Sequence, residues 1–241
     1  MITKFILLFE GRTGSSYLTS SLNSHPNIKM LWEIIGTYYA TQNKNKKNLM
    51  AERQKEWIQH FYSIKRNNIK ALGFKTKLRD IADKEWLANF LEQNKIKIIY
   101  STRKNIIRLT VSILNAQQLH KKWNTWNAYN KKQIPKSLFI DIPKFNNELI
   151  ERVAIESELK SFINNLNLPK IKIYYSELLQ NEDKLHKKLY SFLNIPYYKT
   201  KGNYYKNTPQ KLKNFIKNYQ ELYNYYKNIK YKSMFDEIEE T

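Results

Sequence analysis

The segment Gly11-Arg12-Thr13-Gly14-Ser15-Ser16-Tyr17 follows directly on the apolar run Phe5-Ile6-Leu7-Leu8-Phe9 and opens a stretch with helical spacing. Strand, glycine-bearing turn and helix in that order form an anion cradle. Successive backbone N–H groups converge at a helix start, and the helix dipole favours negative charge there. Gly14 lets the backbone approach closely, Ser15 and Ser16 add hydroxyl donors, and Arg12 adds a fixed positive charge. A second basic pair, Arg103-Lys104, stands where the run Lys95-Ile96-Lys97-Ile98-Ile99-Tyr100-Ser101 hands over to a helix that carries Ser112. In open α/β sheets ligands bind at the carboxyl ends of strands, so a cation there reaches a phosphate directly. Lys75 closes a third strand-like run and faces the same crevice. Two groups after the first helix are of a type that can take a proton, Glu33 and His25.

The elements that must position these residues follow from apolar periodicity. Strands are expected at residues 4–9, 28–33, 70–76, 95–101 and 170–175, with a possible short one at 137–142. Helices are expected at 15–22, 49–64, 82–93, 105–118 and 145–166, and one starting at Asn181 as N-cap. A last helix is expected from Thr208-Pro209, burying Leu212, Phe215, Ile216, Tyr219 and Leu222. Residues 121–135 read as a long surface loop or lid, and its Trp123 and Trp126 are of a type that stacks on a sugar or packs locally. Alternating strands and helices give an α/β fold with a central parallel sheet and helices on both faces, organised as one domain over residues 1–241.

Composition narrows the function classes. With 241 residues there is room for one sizeable core, and a formal net charge of +21 suits an anionic partner. The charge does not name that partner: there are only seven Arg, and a chain rich in Lys, Asn, Ile and Tyr is also what nucleotide bias produces. The basic residues are scattered, and no helix-turn-helix, zinc finger or RNP pattern occurs, so nucleic-acid binding rests on charge alone. There is no Cys, and His25, His60, His120 and His186 form no pair with metal-ligand spacing, so no metal site is expected. The short apolar run at the start is neither a signal peptide nor a membrane span, and the chain is expected to be soluble and cytoplasmic. A Walker A loop needs GxxxxGK[ST], whereas here Ser15 follows Gly14. A metal-dependent kinase or nucleotide hydrolase would also need an Asp at a strand end, where this chain carries Lys75, Arg103 and Ser176.

The pattern [K/R]-[ST]-G-[ST]-[ST] after a buried strand resembles the 5′-phosphosulfate loop of sulfotransferases that use 3′-phosphoadenosine 5′-phosphosulfate (PAPS). Arg12-Thr13-Gly14-Ser15-Ser16 matches it at every position and is similar to the carbohydrate-type form. Arg103-Lys104-Asn105-Ile106-Ile107-Arg108-Leu109-Thr110-Val111-Ser112 resembles the 3′-phosphate element of the same family. In the bacterial carbohydrate-type pattern the matching pair is Arg103 and Ser112; in the cytosolic branch the cation falls on Lys104. Residues 173–196 and 206–222 give weaker matches.

The resemblance implies a P-loop-like three-layer fold, with PAPS as co-substrate, PAP as product and no metal. It places Arg12, Thr13, Gly14, Ser15, Ser16 and Tyr17 on the 5′-phosphosulfate and Arg103 with Ser112 on the 3′-phosphate. Arg12 would stabilise the leaving oxygen and Glu33 would serve as base, with Lys75 and His25 near the acceptor. The acceptor implied is a small molecule or glycan hydroxyl, with a carbohydrate preferred.

Overall fold

Residues 5–9 form the centre of the molecule because five consecutive apolar side chains can be satisfied only with cover on both faces, and all five are buried. The structure is a computed structural model and describes residues 2–33, 35, 44–64, 67–128, 131–202, 211–227 and 231–236. Strands β1 (Thr3–Phe9), β2 (Ile28–Leu31), β3 (Ala71–Thr76), β4 (Lys97–Thr102) and β5 (Lys170–Tyr174) form a parallel sheet in the order β2-β3-β1-β4-β5. β1 is flanked by β3 on one side and β4 on the other. The chain crosses from one side of it to the other, so the loop after β1 opens into the switch-point crevice.

One face of the sheet packs Ile6, Leu8, Phe74 and Ile98 against α2 (Lys44–Ser63), α3 (Lys84–Gln93) and α5 (Ile142–Asn165). The other face packs Phe5, Leu7, Ile99 and Ile173 against α1 (Ser15–Asn23), α6 (Tyr175–Gln180) and α7 (Glu182–Leu193). Each fully buried side chain of this size contributes roughly 1.5–3 kcal/mol of burial free energy. A third cluster joins α4 (Ile106–Trp123) and α5 to α8 (Tyr219–Tyr226) and α9 (Lys232–Asp236). Among the described residues no helix is long and apolar enough to cross a membrane.

Caps explain the boundaries. Asn105 starts α4 by accepting from the Arg108 N–H at 2.9 Å. Asn181 starts α7, as its sequence position suggests, accepting from the Lys184 N–H at 2.8 Å. Asp141 caps α5 through the Lys144 N–H, so α5 begins before residue 145 and takes up the end of the segment proposed as a short strand.

What remains of that strand is a single parallel bridge between Leu138 and Ile216. The bridge also explains why the C-terminal helix is not continuous. The Leu138 N–H donates to the Phe215 carbonyl and its carbonyl accepts from the Lys217 N–H, both at 2.8 Å, using groups a helix would need. The segment is therefore a 3₁₀ turn (Leu212–Asn214), the bridge, and then α8, although Leu212, Phe215, Ile216 and Leu222 are buried as expected. Residues 208 and 209 lie outside the described residues. The lid is also shorter than expected, because α4 runs on to Trp123 and stops at Asn124 in the left-handed region, φ 51°.

Candidate active site

The loop after β1 is held from both sides. Thr13 Oγ1 donates to the Glu10 carbonyl at 2.8 Å, and the Thr13 carbonyl accepts from Ser101 Oγ of β4 at 2.9 Å. Two of its residues have left-handed backbones: Arg12 at φ 70° and Gly14 at φ 82°. Gly14 is the N-cap of α1. A Cβ at Gly14 would lie 2.6 Å from Leu178 Cδ1 and 3.0 Å from Tyr175 Cδ2, so glycine is required for space as well as for φ. A glycine N-cap brings no side chain to occupy the first-turn N–H groups of α1, and such a turn is suited to an anion.

Arg12 reaches from this loop to α4 and the segment after it. Its Nε donates to Ser112 Oγ at 3.2 Å, and its Nη1 donates to the Trp126 carbonyl and to Asn127 Oδ1, each at 2.9 Å. Burial, reinforced by the like charge of Arg103, pushes the Arg12 guanidinium down to about 10, which leaves it cationic at neutral pH. Arg12 and Ser112, one hundred residues apart, are thus brought into direct contact.

A second constellation stands beside the loop. Lys75, 1% exposed at the end of β3, donates to Ser16 Oγ at 3.1 Å and pairs with Glu33 Oε1 at 3.1 Å. Its ammonium also lies 4.9 Å from the ring centroids of Phe9 and Trp32. Lys77 takes the other carboxylate oxygen, Glu33 Oε2, at 2.7 Å. Burial pushes the Glu33 carboxyl up, but Lys75 and Lys77 outweigh it and hold it below the usual carboxylate value. Burial likewise pushes the Lys75 ammonium down, against the opposing pull of Glu33.

Arg103 and Lys104 have different surroundings. Arg103 is buried, with its guanidinium carbon 4.6 Å from the Tyr175 ring centroid, and it acts electrostatically on Arg12. Lys104 is exposed and lies over the Tyr174 ring. The backbone of Tyr17 belongs to the first turn of α1, but its ring packs where a Cβ on Gly202 would fall, 2.7 Å away.

The structure does not bring His25 to the cleft. Its Nδ1 accepts from the Asn27 N–H and its Nε2 lies against the Pro196 carbonyl, both at 3.0 Å. The ring is buried edge-on against Tyr190 and Tyr198. Both nitrogens serve the backbone, which is the arrangement of a structural histidine.

A cleft of about 540 Å³ joins these groups: Arg12, Ser15, Ser16, Glu33 and Lys77 line it together with residues of α4, α5 and the Trp126 segment. Several of its residues were not picked out from sequence. Lys77 stands two positions beyond Lys75, past the end of β3, where no strand alternation marks it. Arg79 and Arg152 line the cleft too, and their rarity was the available signal: Arg12, Arg79 and Arg152 are three of only seven Arg in a Lys-rich chain.

No protein-family model matches the sequence, and no curated protein matches it significantly. Solved structures do match. A sulfotransferase from Alicyclobacillus acidocaldarius superposes over 98% of this chain and 95% of its own, with a TM-score of 0.52 and 12% identity. A sulfotransferase from Mycobacterium avium covers 100% of this chain and 79% of its own (TM-score 0.48, 11% identity). A mouse sulfotransferase complexed with PAP covers 81% and 59% (TM-score 0.44, 17% identity). The five-stranded parallel sheet flanked by helices is the sulfotransferase fold.

Proposed function

We propose that the chain is a sulfotransferase that moves a sulfuryl group from PAPS to an acceptor hydroxyl, on a carbohydrate. The observation that carries this reading is Lys75. One buried ammonium touches both the anion-binding loop, at Ser16, and the carboxylate that can act as base, Glu33. The donor set suits the co-substrate. The uncapped first turn of α1, the hydroxyls of Ser15 and Ser16, and Arg12 would hold the 5′-phosphosulfate; buried Arg103, rather than exposed Lys104, would hold the 3′-phosphate with Ser112.

When bound, PAPS supplies the sulfuryl group and leaves as PAP. Glu33, ionised at neutral pH, takes the proton of the acceptor hydroxyl. Lys75 and Lys77 keep its carboxylate oriented and face the negative charge on the transferring oxygens. Arg12 offsets the charge that develops on the leaving phosphate oxygen. Sulfuryl transfer makes the same demands as phosphoryl transfer, in-line positioning and charge stabilisation, and these residues meet them with fixed cations.

The test is PAP release from PAPS in the presence of sugar acceptors, with wild type and Glu33→Gln. Loss of the base should lower turnover by about two to four orders of magnitude. Equal turnover in the two proteins would remove Glu33 from the chemistry.

A further inference from the structure

Glu10 directly follows β1 and precedes the loop that carries Arg12, yet it is 2% exposed. A carboxylate at the end of a core strand is costly to bury unless a cation meets it. That cation is Arg152 of α5, itself 5% exposed, whose Nη1 donates to Glu10 Oε2 at 3.3 Å. The main chain of Glu10 is tied to the loop as well, since its carbonyl accepts from Thr13 Oγ1. One residue thus joins the loop to α5 through its side chain and closes the loop on itself through its backbone.

α5 forms one wall of the cleft, and Arg152 makes further contacts in it. Its Nε lies 2.9 Å from Glu148 Oε1, and its Nη2 pairs with Glu151. Glu148 in turn accepts from Gln117 Nε2 of α4 at 3.1 Å. α4 is the helix that carries Ser112, the residue that accepts from Arg12 Nε at 3.2 Å. The contacts therefore close a ring. It runs from Glu10 to Arg152, through Glu148 and Gln117 to α4, through Ser112 to the Arg12 guanidinium, and back along the chain to Glu10. Both ends of Arg12 belong to this ring: its left-handed backbone, φ 70°, on the Glu10 side and its guanidinium on the α4 side. The Arg152 fork faces three carboxylates, so it is placed to hold protein rather than an anion in the cleft.

We infer that Arg152 is a positioning residue for Arg12: paired with Glu10 and, through Glu148 and Gln117, with α4, it holds the Arg12 guanidinium in one orientation. A buried ion pair adds little net stability because desolvation offsets the attraction, but its fixed charges select one arrangement of the chain. In the proposed reaction that arrangement turns Arg12 to the leaving oxygen. This last step rests on the sulfotransferase reading; the way Arg12 is held does not, and separate readouts test the two.

The variants are Glu10→Gln, which keeps the shape and removes the charge, and Glu10→Gln with Arg152→Gln, which leaves neither partner charged. Melting curves establish that both fold. Orientation is read by NMR on full-length protein isotope-labelled in arginine. The chain has seven Arg, and the Nε–H signal of Arg12 is the one lost in Arg12→Lys. In both variants this signal should shift or broaden away. With PAPS as donor, kcat should fall about ten- to a hundredfold while the KM for PAPS stays within about threefold, the split expected when a group acting in the transition state is misplaced. An Arg12 signal unchanged in both variants would overturn the positioning role, and so would a displaced signal with unchanged kcat. A wild type that does not turn over PAPS would overturn the sulfotransferase reading alone, and the Arg12 signal would still decide how the loop is held.

Discussion

Lys75 Nζ lies 3.1 Å from Glu33 Oε1, so the buried end of β3 sets where the carboxylate beyond β2 can stand. The same nitrogen bonds Ser16 Oγ at 3.1 Å. This lysine therefore ties the first turn of α1 to the Glu33 carboxylate. Lys75→Met keeps the length of the side chain and removes the charge. It should lower kcat by about 10²–10³-fold, the scale for loss of one stabilising cation or donor at a reacting centre. Steady-state PAP release checks this, and a change within threefold would show that Lys75 only fills space.

The pH dependence has a defined sign. A base must be ionised, and Glu33 sits below its ordinary value of 4.5 because its two lysines overcome the effect of burial. The acid limb of kcat/KM for the free enzyme should therefore fall below pH 4.5. Lys77→Ala removes a positive charge 2.7 Å from the carboxylate, so the limb should move to higher pH. Profiles of the two proteins over the acid range measure the displacement; superimposable limbs would assign the ionisation to another group.

Arg12 holds a left-handed backbone that costs a non-glycine residue roughly 1–2 kcal/mol. Strain of this kind persists where the side chain is needed. Arg12→Gly and Arg12→Ala both lose the contacts to Ser112, Trp126 and Asn127, and both should lose PAP release. Only glycine relieves the backbone, so Arg12→Gly should melt several degrees above Arg12→Ala. Equal melting temperatures would mean that the loop carries no such strain.

Gly14 tests the first turn of α1 itself. An alanine there would have φ 82° and a Cβ 2.6 Å from Leu178 Cδ1. Gly14→Ala should destabilise the fold by at least about 1–2 kcal/mol and displace the first turn of α1, and with it the proposed anion site. Thermal melts with and without PAP should show a lower Tm and no stabilisation by the ligand.

The alternation of strands and helices was legible because β1 and β4 each hold a short apolar run, Phe5–Phe9 and Ile98–Tyr100, with a helix a few residues behind. The C-terminal part was less so. Leu212, Phe215 and Ile216 have helical spacing, yet the bridge to Leu138 takes their backbone, and a pairing across some eighty residues leaves no local trace. At the site, the Arg12 loop was legible as a motif and Glu33 as a nearby carboxylate. Glu33 is the preferred base in sequence and His25 the alternative; the two backbone contacts of the His25 ring take it out of the cleft. The α5 wall was hidden because Glu148 and Arg152 read as one more charged helical surface until the fold turns them onto the cleft.

The proposed function requires that the Arg12 loop and Arg103 together bind PAP. Isothermal titration of wild type and Arg103→Ala with PAP tests it most directly. Wild type should bind with micromolar affinity and the variant at least tenfold more weakly, as expected for removal of a buried charge-assisted contact to a phosphate. No binding by wild type up to millimolar PAP, or equal affinity in the two proteins, would contradict it.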